Sequence, residues 1–290
     1  MSELLQQDEI ENSPDLLNFK HVAFGLGAGL GIFFLYQLFG GGLVGVMLLT
    51  NNKEWIWLLQ GIGQVVFMLL PTVIIMKYSP LERRGLLRLK GHTTLQQWGA
   101  GIVGIIVFQL FAGSFSTLQE QSIPQSLLPF YENLKQQMES IYTMLLGGGG
   151  GVNIIKGLAI GALIPAVSEE VLFRGLLQRS LEQELSPFKS ILWTGIIFGV
   201  IHFNPTDIIS LILIGIYIGI LAYSTRSLLL PIAVHLLNNA IAIMAMNLTE
   251  GNSTDLPDGI PMWIVGLLCS SSIAIVVLCA RIVLRGRTEE

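Results

Sequence analysis

Ser168-Glu169-Glu170-Val171-Leu172-Phe173-Arg174-Gly175 is the stretch on which the reading of this chain turns. Two adjacent carboxylates and an arginine stand inside an apolar run that begins near Val152. Ionisable side chains at bilayer depth are expensive, and where they occur they mark a functional site by default. The composition around them puts the run in a membrane. Of 290 residues, 52% are hydrophobic and 12% are charged, against about 25% charged in an ordinary soluble domain, and mean hydropathy is +0.65. A net charge of −4 lacks the basic footprint that a nucleic-acid partner requires. The fold class read here is all-α integral membrane, with the lipid bilayer as the first partner.

A bilayer core about 30 Å thick takes about 20 apolar residues per spanning helix. By that rule there are eight candidate segments, at residues 22–49, 55–76, 97–118, 152–177, 188–203, 207–223, 228–248 and 261–284. The fifth and sixth are the shortest. The catalytic core is expected on segments four to seven. The chain is read as N-terminal membrane helices over 1–150, followed by a catalytic membrane domain over 151–290. With both termini cytoplasmic, all of the 16 lysines and arginines except Lys53, Lys135 and Lys156 fall on the cytoplasmic side, as the positive-inside rule demands. The first twenty residues are acidic and polar without a basic n-region, so they are not a signal peptide, and the first apolar segment is expected to stay as an anchor. Cys269 and Cys279 fall ten residues apart in one helix, about 15 Å, too far to bridge.

Two connections are long. Residues 77–96 mix basic residues with leucines and suit the anionic cytoplasmic leaflet. Residues 119–146 carry Leu127, Leu128, Phe130, Leu134, Met138, Ile141 and Leu145 at helical spacing, which predicts a surface-lying amphipathic helix or a lid over a cavity. The glycines 147–151 that follow form a linker. Sequons at Asn247 and Asn252 are short enough to arise by chance.

Three apolar segments carry the chemistry-bearing residues. On the fourth, Glu170 and Arg174 are i,i+4 and pair on one face. Glu169 lies 100° away and is left over. On the fifth, Phe198 stands four residues before His202, and Gly199 gives another helix room to approach. A full-length fifth helix would put His202 near the outer face. A short one, ended before Asn204-Pro205-Thr206-Asp207, would put it at mid-membrane within reach of Glu169. On the seventh, His235 and Asn239 are i,i+4, with Asn238 turned away and Pro231 in the first helical turn. A buried carboxylate flanked by imidazoles makes a general base for water, with His and Asn donors for a developing oxyanion. The same histidines and carboxylate could instead hold Zn²⁺ and activate water on the metal. Both routes lead to hydrolysis of a carbonyl substrate, most naturally a peptide bond. The motifs His-Glu-x-x-His, Gly-x-Ser-Gly and Gly-x-Gly-Asp are absent, as is a Walker-type phosphate loop.

Glu169-Glu170-x-x-x-Arg174, Phe198-x-x-x-His202 and His235-x-x-x-Asn239, in that order on separate segments, resemble the CPBP family. These are the CAAX-processing and bacteriocin-processing proteases, glutamate-type intramembrane peptidases also called Abi proteins. The resemblance covers about residues 150–245. It implies that Glu169 activates water, that His202 helps position it, and that His235 and Asn239 stabilise the tetrahedral oxyanion. Glu170 and Arg174 would hold the helix or contact the substrate's C-terminal end. The cofactor implied is either none or zinc, with Glu169, His202 and His235 as the ligands in the second case. The expected substrate is a peptide or membrane protein, and the expected setting is a bacterial plasma membrane. A non-catalytic immunity or scaffold protein that binds a peptide in the same cavity is the alternative. A proton-coupled transporter would need paired broken helices in an internal repeat, which the sequence does not show.

Overall fold

The computed structural model describes residues 20–50, 53–79, 93–147, 150–248, 256 and 259–286. Among the described residues the regular structure is all helical, with no strand. The helices are α1 (Lys20–Leu49), α2 (Ile56–Tyr78), α3 (Leu95–Gln121), α4 (Leu128–Leu146), α5 (Gly150–Leu181), α6 (Pro187–Val200), α7 (Ile208–Thr225), α8 (Leu229–Leu248) and α9 (Met262–Arg285). The basic stretch 80–92, the Asn252 sequon, and residues 148 and 149 of the glycine run lie outside the described residues.

Seven of these helices are long and apolar enough to cross a bilayer: α1, α2, α3, α5, α7, α8 and α9. The expected eighth, the fifth apolar segment, is α6. It has 14 residues, about 21 Å at 1.5 Å per residue, and falls short of a 30 Å hydrocarbon core. All eight expected apolar segments are helical, seven of them long and apolar enough to cross and the fifth shorter.

Local chemistry explains the boundaries. Thr94 and Gln97 form a capping box at the start of α3: the Thr94 hydroxyl accepts from the Gln97 N–H at 3.2 Å, and the Gln97 side chain accepts from the Thr94 N–H at 2.9 Å. Two of the four orphan donors at that helix end are satisfied this way. The Glu184 carboxylate, in the loop after α5, accepts from the backbone N–H groups of His21 (2.7 Å) and Val22 (3.1 Å). It places an anion at the positive end of α1. Pro187 opens α6 at a position where a missing N–H costs nothing.

The helices pack through side chains that reach neighbouring backbones. Tyr217 of α7 donates its hydroxyl to the carbonyls of Ala100 (3.0 Å) and Gly101 (3.2 Å) on α3, and Gln97 of α3 reaches the Val283 carbonyl of α9 at 3.2 Å. α6 and α7 form a close hairpin. A Cβ at Gly199 would stand 2.8 Å from the Ile212 backbone nitrogen, so only glycine allows this approach. Leu172, Leu176, Ile218, Leu221, Leu228, Leu230 and Val234 are fully buried where α5, α7 and α8 meet. This packing fixes α5, the helix that carries the glutamates.

Candidate active site

α5 changes pitch on both sides of the glutamates. Its α-helical part, Ile164–Glu170, is flanked by π-helical stretches at Leu158–Leu163 and Val171–Gln178. Such insertions re-aim side chains and recur at functional sites. Pro165 has no N–H to offer the Gly161 carbonyl four residues back, and Asn239 of α8 donates its Nδ2 to that carbonyl at 3.3 Å. The proline thus coincides with a docking point for α8.

Glu170 and Glu169 face different surroundings. Glu170 is fully buried, and its Oε1 accepts from Arg174 Nη1 at 2.8 Å and from His235 Nδ1 at 2.7 Å. Arg174, also fully buried, donates through Nη2 to the Gly215 carbonyl at 2.9 Å, and its guanidinium lies 4.7 Å from the centre of the Phe198 ring. The Glu170–Arg174 pair expected from sequence is present and has a third member, His235. Neither Glu170 nor Arg174 lines the cavity described below. Both are packed into the wall behind it, which suits a supporting role and keeps them from a substrate in the cavity.

Glu169 opens on a cavity of about 510 Å³. Its Oε1 accepts from Gln64 Nε2 of α2 at 3.2 Å. Its Oε2 is buried and makes no hydrogen bond, and it stands 3.7 Å from His202 Nε2 and 4.0 Å from His235 Nε2. α6 ends at Val200, so His202 lies in the turn beyond it, at the depth of Glu169. The short segment, rather than the full-length one, is what the fold uses. The His202 ring packs on Phe198 with centroids 4.5 Å apart. Its Nδ1 lies 2.5 Å from the Phe198 carbonyl, an acceptor only, so Nδ1 carries the hydrogen. His235 likewise commits Nδ1, to the Glu170 carboxylate. When neutral, both imidazoles therefore turn a bare Nε2 towards Glu169 Oε2. Three acceptors facing one space call for something that donates or is positively charged: a water, a proton or a cation.

The cavity draws side chains from both parts of the chain. Asn238 and Asn239 line it from α8. Asn238 accepts from Gln109 Nε2 of α3 at 2.6 Å and donates to Asn239 Oδ1 at 3.1 Å. Tyr36 and Gln60 line the α1–α2 side, with Gln60 Nε2 on the Tyr36 hydroxyl at 2.5 Å. The amphipathic helix expected over 119–146 is α4, and its Tyr142, Leu145 and Leu146 cover the cavity from outside the spanning helices. Burial pushes the Tyr142 phenol up, opposed by its hydrogen bond with Asn204 in the turn after His202.

Zinc with bonds of about 2.0–2.1 Å sets tetrahedral donors about 3.3 Å apart. The Glu169–His202 and Glu169–His235 separations are wider than that, and among the described residues no three His, Cys, Asp or Glu side chains are arranged to hold a metal as they stand. The donor types nonetheless suit zinc, and both histidines have the Nδ1 partner that metal-bound imidazoles use.

Four contributors were not singled out from sequence: Gln64, Gln109, Asn238 as a cavity residue, and Pro165. The signals were present, as Gln60 and Gln64 at i,i+4 in an apolar segment and as a proline inside the fourth one.

The fold and site define an all-helical, multi-pass membrane protein with a glutamate, two histidines and an asparagine around one internal cavity. Residues 151–241 match the family model for type II CAAX prenyl endopeptidase Rce1-like proteins, so the resemblance to the CPBP family holds over the span that carries all three motifs. The chain is also similar to YdiL of Bacillus subtilis (strain 168), a protein whose name proposes a membrane peptidase activity, at 21% identity over 163 residues. That match covers 55% of this chain and 64% of the relative's length. Comparison with solved structures returns no significant match.

Proposed function

We propose that this protein is an intramembrane endopeptidase that hydrolyses a peptide bond in a membrane-associated peptide or protein. The observation that carries the reading is Glu169 Oε2, buried, without a hydrogen bond, and facing the Nε2 atoms of His202 and His235. A water seated between Glu169 Oε2 and His202 Nε2 has acceptors for both of its hydrogens. Glu169 takes one proton as the water oxygen attacks the carbonyl carbon. His235, its ring held by Glu170 through Nδ1, presents Nε2 to the oxyanion and stabilises it when that nitrogen carries a hydrogen. The Asn239 amide has two N–H groups, one on Gly161 and one free for the same oxyanion. Glu169 then gives its proton to the leaving amine, the C–N bond breaks, and an acid and an amine depart. If zinc is the resident cofactor, Glu169, His202 and His235 would hold it, and it would polarise the water as a Lewis acid.

The setting proposed is a bacterial plasma membrane with both termini cytoplasmic, on the distribution of basic residues. The match to CAAX endopeptidases supports a substrate that presents a cleavable segment at the membrane.

The test is membrane peptidomics of cells carrying wild type or Glu169→Gln. A defined peptide is expected to accumulate with the variant and to be cut by purified wild-type protein but not by Glu169→Gln. Full biological activity in Glu169→Gln cells would leave the immunity or scaffold alternative in possession of the cavity. Metal analysis and chelator treatment of the purified protein decide between direct base chemistry and zinc.

A further inference from the structure

We infer that Gln64 of α2 is a positioning residue for the proposed base, fixing Glu169 by one oxygen so that the other alone addresses water. This rests on the endopeptidase reading, and it concerns a residue outside the matched span 151–241. The geometry assigns the two carboxylate oxygens different tasks. Oε1 receives the Gln64 Nε2–H at 3.2 Å, while Oε2 is the unbonded atom facing both imidazoles. A glutamate with only the cavity around it would rotate between rotamers, and a misplacement of about 1 Å in a reacting group costs about 100-fold in rate.

Gln64 is itself well held. Its side chain is only 3% exposed, and its backbone sits where α2 passes from Ile56–Gln64 into the π-helical stretch Val65–Leu69. Next to it, Gly63 meets Gly40 of α1 so closely that a Cβ would stand 2.8 Å from the Gly40 Cα. This contact fixes α2 against α1. Gln60, one turn earlier, is engaged with Tyr36 and leaves Glu169 to Gln64. The amide orientation follows from chemistry: an ionised carboxylate only accepts, so Nε2 must face it. The Gln64 Oε1 is then buried without a partner in a residue that lines the cavity, where it can accept a hydrogen from the water or from a substrate N–H. A neutral donor also suits the task, because a cation at this position would weaken the carboxylate as a base.

The experiment uses the full chain in detergent or nanodiscs. Its probe is the peptide that accumulates in Glu169→Gln membranes, resynthesised with a fluorophore and a quencher. Gln64→Met keeps the volume and removes the donor. It is expected to lower kcat by about 10- to 100-fold with KM changed by less than about two-fold, the mark of an interaction used in the transition state. Gln64→Glu, which sets a like charge against Glu169, is expected to lose more. A Gln64→Met protein with wild-type kcat, or one whose defect lies in KM alone, overturns the inference while Glu169→Gln stays inactive. If Glu169→Gln itself cuts the peptide, it is the endopeptidase reading that fails. Should Gln64→Met not purify folded, Gln64→Asn draws the amide back by one methylene, and the same kcat and KM comparison is read on it.

Discussion

Glu170 lies on the face of α5 turned to α7 and α8, where a guanidinium and an imidazole both donate to one oxygen. Glu169, the preceding residue, lies on the face turned to α2 and the cavity, where a single amide reaches it. The two carboxylates share a helix and a depth, and they differ in how many donors surround them. The first region is a buried charged cluster closed off from the cavity, although Glu170 Oε2 and Arg174 Nε make no hydrogen bond, and the second opens on the cavity. A carboxylate that opens on a cavity is available to a reactant, whereas one packed into the wall behind it can only hold its neighbours in place. The wall also serves the cavity directly, because His235 is oriented through Glu170.

That difference separates stability from activity, and three substitutions probe it in descending order of expected effect. Arg174→Met leaves Glu170 buried beside His235 without its main partner. Removing one member of a buried pair costs about 3–5 kcal/mol, so unfolding in denaturant should show a loss of that size. A loss below about 1 kcal/mol would mean that the wall is not electrostatic. Glu169→Gln, by contrast, should alter the unfolding free energy by about 1 kcal/mol or less, because only one hydrogen bond is exchanged, even as cleavage is abolished. Equal stability losses in Arg174→Met and Glu169→Gln would erase the distinction between the faces. Tyr217→Phe is the remote control. It removes the hydroxyl from the Ala100 and Gly101 carbonyls, should cost about 0.5–1.5 kcal/mol, and should leave kcat unchanged. A changed kcat would show that the α3–α7 contact reaches the site.

Much of this architecture can be read from composition and spacing. Seven of the eight expected segments return as helices long and apolar enough to cross, because a bilayer sets that length for any sequence that crosses it. The motif residues follow because charges and imidazoles are conspicuous where every other side chain is apolar. Even the Phe198–His202 contact is implied by i,i+4 spacing, and the ring contact is there. The amphipathic helix before the glycine run was legible for the same reason, as α4.

The fifth expected segment is shorter as a helix than its hydropathy suggests, and the cause is instructive. Window hydropathy treats residues 188–203 as one apolar segment, whereas α6 stops at Val200 and the chain turns through His202. A turn at that depth is permitted only where other helices and a polar cavity satisfy its backbone, which a window over one segment cannot register. Glutamines are quieter still. An uncharged amide such as Gln64 or Gln109 is common enough in membrane helices as packing glue that its role depends on what stands opposite.

By itself the sequence determined that the chain is a helical membrane protein, which residues are chemically out of place in it, and that one glutamate of an adjacent pair lacks an intrahelical partner. Those are consequences of transfer free energy and of 100° per residue, both local to one segment. Only the tertiary structure decided that Glu170 serves His235 as well as Arg174, that His202 comes to the depth of Glu169, and that the N-terminal helices supply Gln64 to the site. Such pairings join residues as far as 105 positions apart, and they depend on which faces of separate helices meet, which no periodicity within a single helix specifies.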